Sequence, residues 1–208
     1  MLKFFKQKNI LFLTIIFSSV VLMGSLFLAL FGGMPFGNKS LAIMDANIQY
    51  LDFFAYLRDV LTGKNSAFYT LSNLLGDDPI ALISYYLLSP FNLLLLFFQK
   101  AQIPLFFNVI TVLKWATAAS TFAFFALKRF ENKVNYYFVT IFSIGYAFMQ
   151  YNIAQQSNTI WLDGVYMLPL IALGVFYTVN KGEIKLLSVT VGLTIMFNWY
   201  SGDRKSVV

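Results

Sequence analysis

This 208-residue chain has few residue types with which to do chemistry. It contains no histidine and no cysteine. That excludes the usual general base, a Ser-His-Asp triad, a thiolate nucleophile and a Cys/His zinc site. Acid–base work must fall on nine Asp and Glu residues, or on Tyr and Lys. Asp45, in the stretch from Ser40 to Tyr50, carries a carboxylate suited to taking a proton from an attacking hydroxyl. On spacing alone, N-capping a helix that begins near Ala46 is the favoured alternative. Asp163 follows Trp161 and Leu162 at the entry to an apolar run. There it either marks a membrane interface with Trp161 in the aromatic belt, or supplies a second carboxylate. A second carboxylate could share a metal with Asp45 or divide acid and base roles with it. Lys114 interrupts an apolar run, where a charge is expensive and needs a partner or a function. Snorkelling, a carboxylate partner and phosphate binding are its three readings. Arg58, Lys64 and Lys100 are further cations that could meet a lipid phosphate or be plain surface charges. Asp52 and Asp59 stand seven apart, on a similar helix face; both read as solvated, with Asp59 in reach of a basic partner. No Walker loop, dinucleotide fingerprint or HExxH motif occurs.

The elements that must position these residues lie in a bilayer. Hydrophobic residues make up 59% of the chain and charged residues 12%, about half the charged share of a soluble domain. The net charge of +6 is dispersed in short clusters at the ends of apolar runs and forms no single stripe, so it does not signal nucleic acid. Crossing the hydrocarbon core takes about 20 apolar residues. Residues 10–31 qualify without one charge. Lys3, Lys6 and Lys8 before them resemble a signal-peptide n-region, but the apolar run is longer than such a peptide needs, so it is read as a retained span. Further spans are expected at about 105–127, 134–151, 164–180 and 186–200. Ile48, Leu51, Phe54, Ala55 and Leu57 recur at helical spacing and predict a helix on the membrane surface.

Residues 80–98 decide the topology. They are long enough to cross, but Ser89-Pro90 breaks them. If they cross, the basic runs at 128–133 and 181–185 fall outside, against the positive-inside tendency. If they are re-entrant or lie at the outer surface, all three basic clusters are cytoplasmic, and Asp45 and Asp163 face outside. The second arrangement is preferred. It gives an all-α polytopic transmembrane bundle of about five spans, with one long external loop over about 32–103 carrying surface or re-entrant helices. Residues 203–208 have no hydrophobic continuity with the last span. They are read as a non-native tail on a longer protein cut near Gly202, the other reading being an ordinary polar tail. A bundle cut there is expected to leave Lys114 and polar faces without partners, and to be inactive.

An ordered set of phrases resembles the bacterial YfhO-type membrane proteins over about residues 10–200. It comprises Asp45 with Gln49-Tyr50, then Tyr56-Leu57-Arg58-Asp59, Phe68-Tyr69, and Ser72 with Gly76. Tyr85-Tyr86-Leu87-Leu88-Ser89-Pro90-Phe91-Asn92, Leu113-Lys114 and Trp161-Leu162-Asp163 follow in order. The stretch beginning Tyr85-Tyr86 is the most specific. That family is similar to the polytopic glycosyltransferases of the GT-C type. The resemblance implies a catalytic Asp early in the first external loop, here Asp45. It also adds Gln49, Tyr50, Tyr85 and Tyr86 to the substrate-binding candidates. It further implies a sugar donor on a polyprenyl phosphate and an extracytoplasmic acceptor such as teichoic acid, in a multi-pass bacterial cell-membrane protein with a cytoplasmic N-terminus. Residue 47 is Asn, so the chain lacks an Asp-x-Asp pair. A divalent cation such as Mg2+ or Mn2+ near Asp45 and Asp163 is then one option for offsetting the leaving phosphate, beside Arg58, Lys100 or Lys114. The competing expectations are a transporter or flippase for lipid-linked precursors and a non-catalytic membrane scaffold.

Overall fold

The computed structural model describes residues 2–71, 76 and 78–199. The expected tail at 203–208, and Ser72 of the family phrases, lie outside them. Among the described residues there is no strand, only an isolated bridge between Gly33 and Lys39. The helices are α1 (Leu2–Phe31), α2 (Leu51–Leu61), α3 (Ile80–Leu82), α4 (Ile103–Arg129), α5 (Tyr136–Ala147), α6 (Gln150–Ala154), α7 (Leu162–Lys181) and α8 (Lys185–Phe197). Three helical stretches are long and apolar enough to cross a bilayer: Gln7–Phe31, Lys100–Arg129 and Thr159–Lys181. The architecture is an all-α membrane bundle.

α4 is the centre of the bundle and packs against α1, α5 and α7. Lipid-side packing gains nothing from burying apolar surface, so close approach of small residues must hold such helices together. The sequence supplies them. Ala116, Ala119 and Ala123 of α4 are fully buried. Gly24 of α1 meets Val112 of α4 so closely that a Cβ there would lie 2.8 Å from the valine Cγ1. Gly174 of α7 lies against the backbone of Leu187 in α8.

α5 and α8 are 12 and 13 residues long, about 18 and 20 Å at 1.5 Å per residue. Both fall short of the roughly 30 Å hydrocarbon core. The apolar run at 134–151 therefore does not form one continuous span. α5 stops at Ala147, and Met149 takes an extended backbone before α6. Asn152 donates to the carbonyls of Tyr146 and Ala147, each at 2.9 Å, and so satisfies the frayed end.

The run at 80–98 is not one helix either. α3 continues as a π-helical turn, Ile83–Leu87; a 3-10 helix follows over Pro90–Phe97, and the two arms are bent by 104°. The cause is local. Pro90 disfavours a helical backbone at the residue before it, and Ser89 is accordingly extended, with φ −58° and ψ 133°. The apex reaches inward, with Phe91 against Tyr166 of α7, and the second arm returns so that Phe98 packs on Phe106 near the start of α4.

Two ends of the bundle can be told apart. Asn9 of α1 donates to Asn132 after α4 at 2.9 Å, and Tyr136 of α5 donates to Asn9. Arg129 lies over the ring of Phe176 near the end of α7. Lys8, Lys128, Arg129, Lys133, Lys181 and Lys185 thus share one end. At the other end, Asp59 pairs with Lys100 at 2.7 Å, and Arg58 Nε donates to the Phe98 carbonyl.

Candidate functional site

The segment that carries Asp45 is anchored from the bundle core. α1 stops at Gly32, whose φ of +75° suits glycine, and the chain turns back. Asn108 of α4, fully buried, holds that turn. Its Oδ1 accepts from Leu41 N at 2.8 Å, and its Nδ2 donates to the carbonyls of Met34 and Lys39. A buried amide satisfied on both ends fixes the loop in one register. Leu41 and Ala42 are buried, and Met44 then adopts φ +51°. A left-handed methionine is uncommon and costs backbone strain. It precedes Asp45 directly.

Asp45 is exposed and makes no capping hydrogen bond, and its own backbone is helical. The N-cap reading therefore does not describe it. Behind it the helix opens as a π-helical turn, Ala46–Tyr50, before α2. Along that turn and α2, Ala46, Tyr50, Phe54 and Leu57 point inward, while Ile48 is exposed. Single π-helical turns recur at functional sites. The second one here, Ile83–Leu87, faces the first. Tyr50 and Tyr86 have ring centroids 6.2 Å apart, Tyr85 and Tyr86 4.4 Å, and Phe53 and Tyr86 5.5 Å. Burial, then the neighbouring Tyr86, Asp45 and Tyr85, push the Tyr50 phenol up from 10.0 to about 12. Tyr50 also donates to Asn158 Oδ1 at 3.4 Å, which ties this face to the turn before α7.

One turn beyond Asp45, Gln49 lines a groove of about 380 Å³ with Asp52, Tyr56, Asp59 and Lys100. Among the candidates, then, Gln49 and Lys100 share a groove, and Tyr50, Tyr85 and Tyr86 share an aromatic face. Arg58 is engaged with the Phe98 carbonyl. Asp59 has the basic partner expected of it, Lys100.

Asp163 and Lys114 belong elsewhere. Lys114 lies 11 residues into α4, about 16 Å from its start. Its Nζ donates to Asp163 Oδ2 and to the Thr159 carbonyl, both at 2.9 Å. Ser89, at the hairpin apex, donates to Asp163 Oδ1 at 2.8 Å. Both Lys114 and Asp163 are about 1% exposed. The Phe91 ring lies 6.0 Å from the ammonium. Two expectations change here. Lys114 does not want for a partner within this chain, and as it stands it does not offer its charge to a phosphate. Asp163 does not face Asp45 around a shared ion: both its oxygens are held, one by Lys114 and one by Ser89. Among the described residues no group of three or more Asp and Glu could hold a metal. Asp163, held in this way, does not fit a divalent cation shared with Asp45.

Ser89, Thr159, Asn108 and Asn158 were not foreseen as parts of these sites. A signal for two of them was in the sequence. Asn108, Thr111 and Lys114 recur every third residue through the apolar run of α4, and that spacing places them along one side of the helix. Thr111 donates to Thr159 at 3.3 Å, between the other two. Ser89 could have been suspected from its place before a proline inside an apolar run.

The family model described as bacterial membrane protein YfhO matches residues 15–202. No curated protein and no solved structure matches the chain. The chain belongs to the YfhO family of bacterial membrane proteins.

Proposed function

We propose that this chain carries the acceptor-side face of a GT-C-type glycosyltransferase. The reaction moves a sugar from a polyprenyl phosphate to an extracytoplasmic cell-envelope acceptor such as teichoic acid. The observation that carries this reading is an exposed Asp45 on a strained, core-anchored loop, one turn from a polar groove lined by Gln49, Asp52 and Lys100. In the proposed step the acceptor hydroxyl oxygen bonds to the anomeric carbon while the bond from that carbon to the lipid phosphate breaks. Asp45 takes the hydroxyl proton. The Lys100 ammonium, at the groove and paired with Asp59, offsets charge on the departing phosphate. The aromatic face of Tyr50, Tyr85 and Tyr86 is suited to stacking against a sugar ring. Asp163, engaged with Lys114 and Ser89, takes no part in this step.

The orientation follows from charge. The end bearing Lys8, Lys128, Arg129, Lys133, Lys181 and Lys185 is assigned to the cytoplasm, and Asp45 with its groove to the outside. The 104° bend at Ser89-Pro90 supports a re-entrant hairpin over 80–98.

A second reading, a flippase for the same lipid, is favoured by the buried Lys114–Asp163 pair beside a broken helix. One assay separates them. Membranes containing the protein as its genome encodes it are given a polyprenyl phosphate carrying a radiolabelled sugar. A transferase moves label to a water-soluble or polymeric acceptor and frees the polyprenyl phosphate. A flippase leaves the anomeric bond intact and changes only the leaflet of the label.

A further inference from the structure

At the basic end of the bundle, a groove of about 700 Å³ opens between α4 and the turn joining α7 to α8. Its wall is apolar, with Phe124, Leu173 and Leu186, and Lys128 and Lys185 stand at its mouth. α8 reaches the rest of the bundle mainly through α7, so the groove runs along α7 with α4 on one side and α8 on the other.

Rings orient three cations at this end of the bundle, and one of them, Lys128, lines the groove. Lys128 lies 5.7 Å from the Phe124 ring, Lys181 lies 4.4 Å from the Tyr177 ring, and Arg129 lies 4.1 Å from the Phe176 ring. Such contacts point an ammonium without neutralising it. Of the two acidic residues described at this end, Glu131 is bound by Lys133 at 3.0 Å, and Glu183 alone lines the groove. The groove thus joins a net positive mouth to an apolar wall, at the level where the α4 and α7 spans end.

We propose that this groove binds an anionic phospholipid. The headgroup phosphate lies between Lys128 and Lys185, and an acyl chain runs over Phe124, Leu173 and Leu186. Basic pockets between membrane helices recognise anionic headgroups in this way. The lipid would bridge α4 and α8, which otherwise meet through α7. This inference is independent of the transferase reading.

The test is native mass spectrometry of the purified protein, titrated with phosphatidylglycerol or phosphatidylcholine. Wild-type protein is expected to hold one phosphatidylglycerol in clear preference to phosphatidylcholine. Lys128→Gln with Lys185→Gln should lower phosphatidylglycerol affinity about tenfold or more. The matched pair Lys39→Gln with Lys64→Gln, remote from this groove, should leave it unchanged, and Lys128→Arg with Lys185→Arg should retain it. Equal binding of both lipids, equal losses in the two glutamine pairs, or displacement of the lipid by inorganic phosphate would overturn the proposal.

Discussion

Lys114 of α4 and Asp163 of α7 lie 2.9 Å apart, with both side chains about 1% exposed. The pair does more than neutralise two charges. Through Ser89 it reaches the apex of the bent hairpin, and through the Thr159 carbonyl it reaches the turn before α7. Three segments distant in sequence, the hairpin apex, α4 and the stretch from Thr159 to Asp163, meet at one buried charge cluster.

That arrangement predicts an asymmetry between single and double substitutions. Lys114→Met or Asp163→Leu alone leaves an unpaired buried charge and should destabilise the bundle by about 3–5 kcal/mol. Replacing both together should cost far less, because an apolar pair needs no compensation. Denaturant titration of the detergent-solubilised protein measures this. Additive losses in the double variant would show that the two residues are not coupled.

Ser89→Ala removes the hydroxyl that satisfies Asp163 Oδ1. A hydrogen bond to a charged group contributes roughly 1.5–3 kcal/mol, so stability should fall by that order. The hairpin should loosen with it, which hydrogen exchange at Leu87 to Asn92 would report as faster exchange confined to that segment.

Gly174→Val tests the α7–α8 contact. A Cβ at Gly174 would lie 2.7 Å from Leu187 Cα, a backbone atom that cannot rotate away. Overpacking of this kind costs about 1–3 kcal/mol. Thermal unfolding should shift down accordingly, whereas Gly145→Val, with nothing within 4 Å of its Cβ, should be tolerated.

Tyr50 predicts a pH dependence with a definite sign. Its phenol ionises at about 12 in the folded protein against 10.0 for a free one. Between those values the unfolded chain binds fewer protons, so stability falls as pH rises from 10 to 12. The contribution is fully present below pH 10. Tyr50→Phe should flatten this part of the stability profile, and spectroscopic titration should show one fewer late-ionising tyrosine.

Much of the bundle was legible in the sequence because uninterrupted apolar runs admit little besides a helix in lipid. The three long stretches around α1, α4 and α7 fall where hydropathy and charge put them, and the break at Ser89-Pro90 follows from proline sterics. The fate of 134–151 was not legible. Its apolar content continues past Ala147, and only the backbone turn at Met149, supported by Asn152, ends the helix. The π-helical turn over Ala46–Tyr50 was not legible either, since such a turn rotates a face without leaving a mark in the residue spacing. Within the candidate site, Asp45 and its neighbours Gln49 and Tyr50 could be singled out from local residues and family phrases. The pairing of Lys114 with Asp163 could not, because it joins positions 49 residues apart. Hydropathy locates each helix without giving its depth or rotation against its neighbours.

Because the chain has no native cysteine, single cysteines can report the orientation. Asn65→Cys should react with a membrane-impermeant maleimide added outside whole cells. Lys133→Cys should react only after permeabilisation. The reverse pattern would invert the bundle and place Asp45 in the cytoplasm.

The transfer assay with Asp45 replaced bears most directly on the proposed activity. The protein as its genome encodes it is reconstituted with a radiolabelled sugar on polyprenyl phosphate and an acceptor, and initial rates are compared. If Asp45 takes the acceptor proton, Asp45→Asn lowers transfer by about 100-fold or more, with membrane insertion and thermal stability unchanged. A rate for Asp45→Asn equal to wild type would contradict the account.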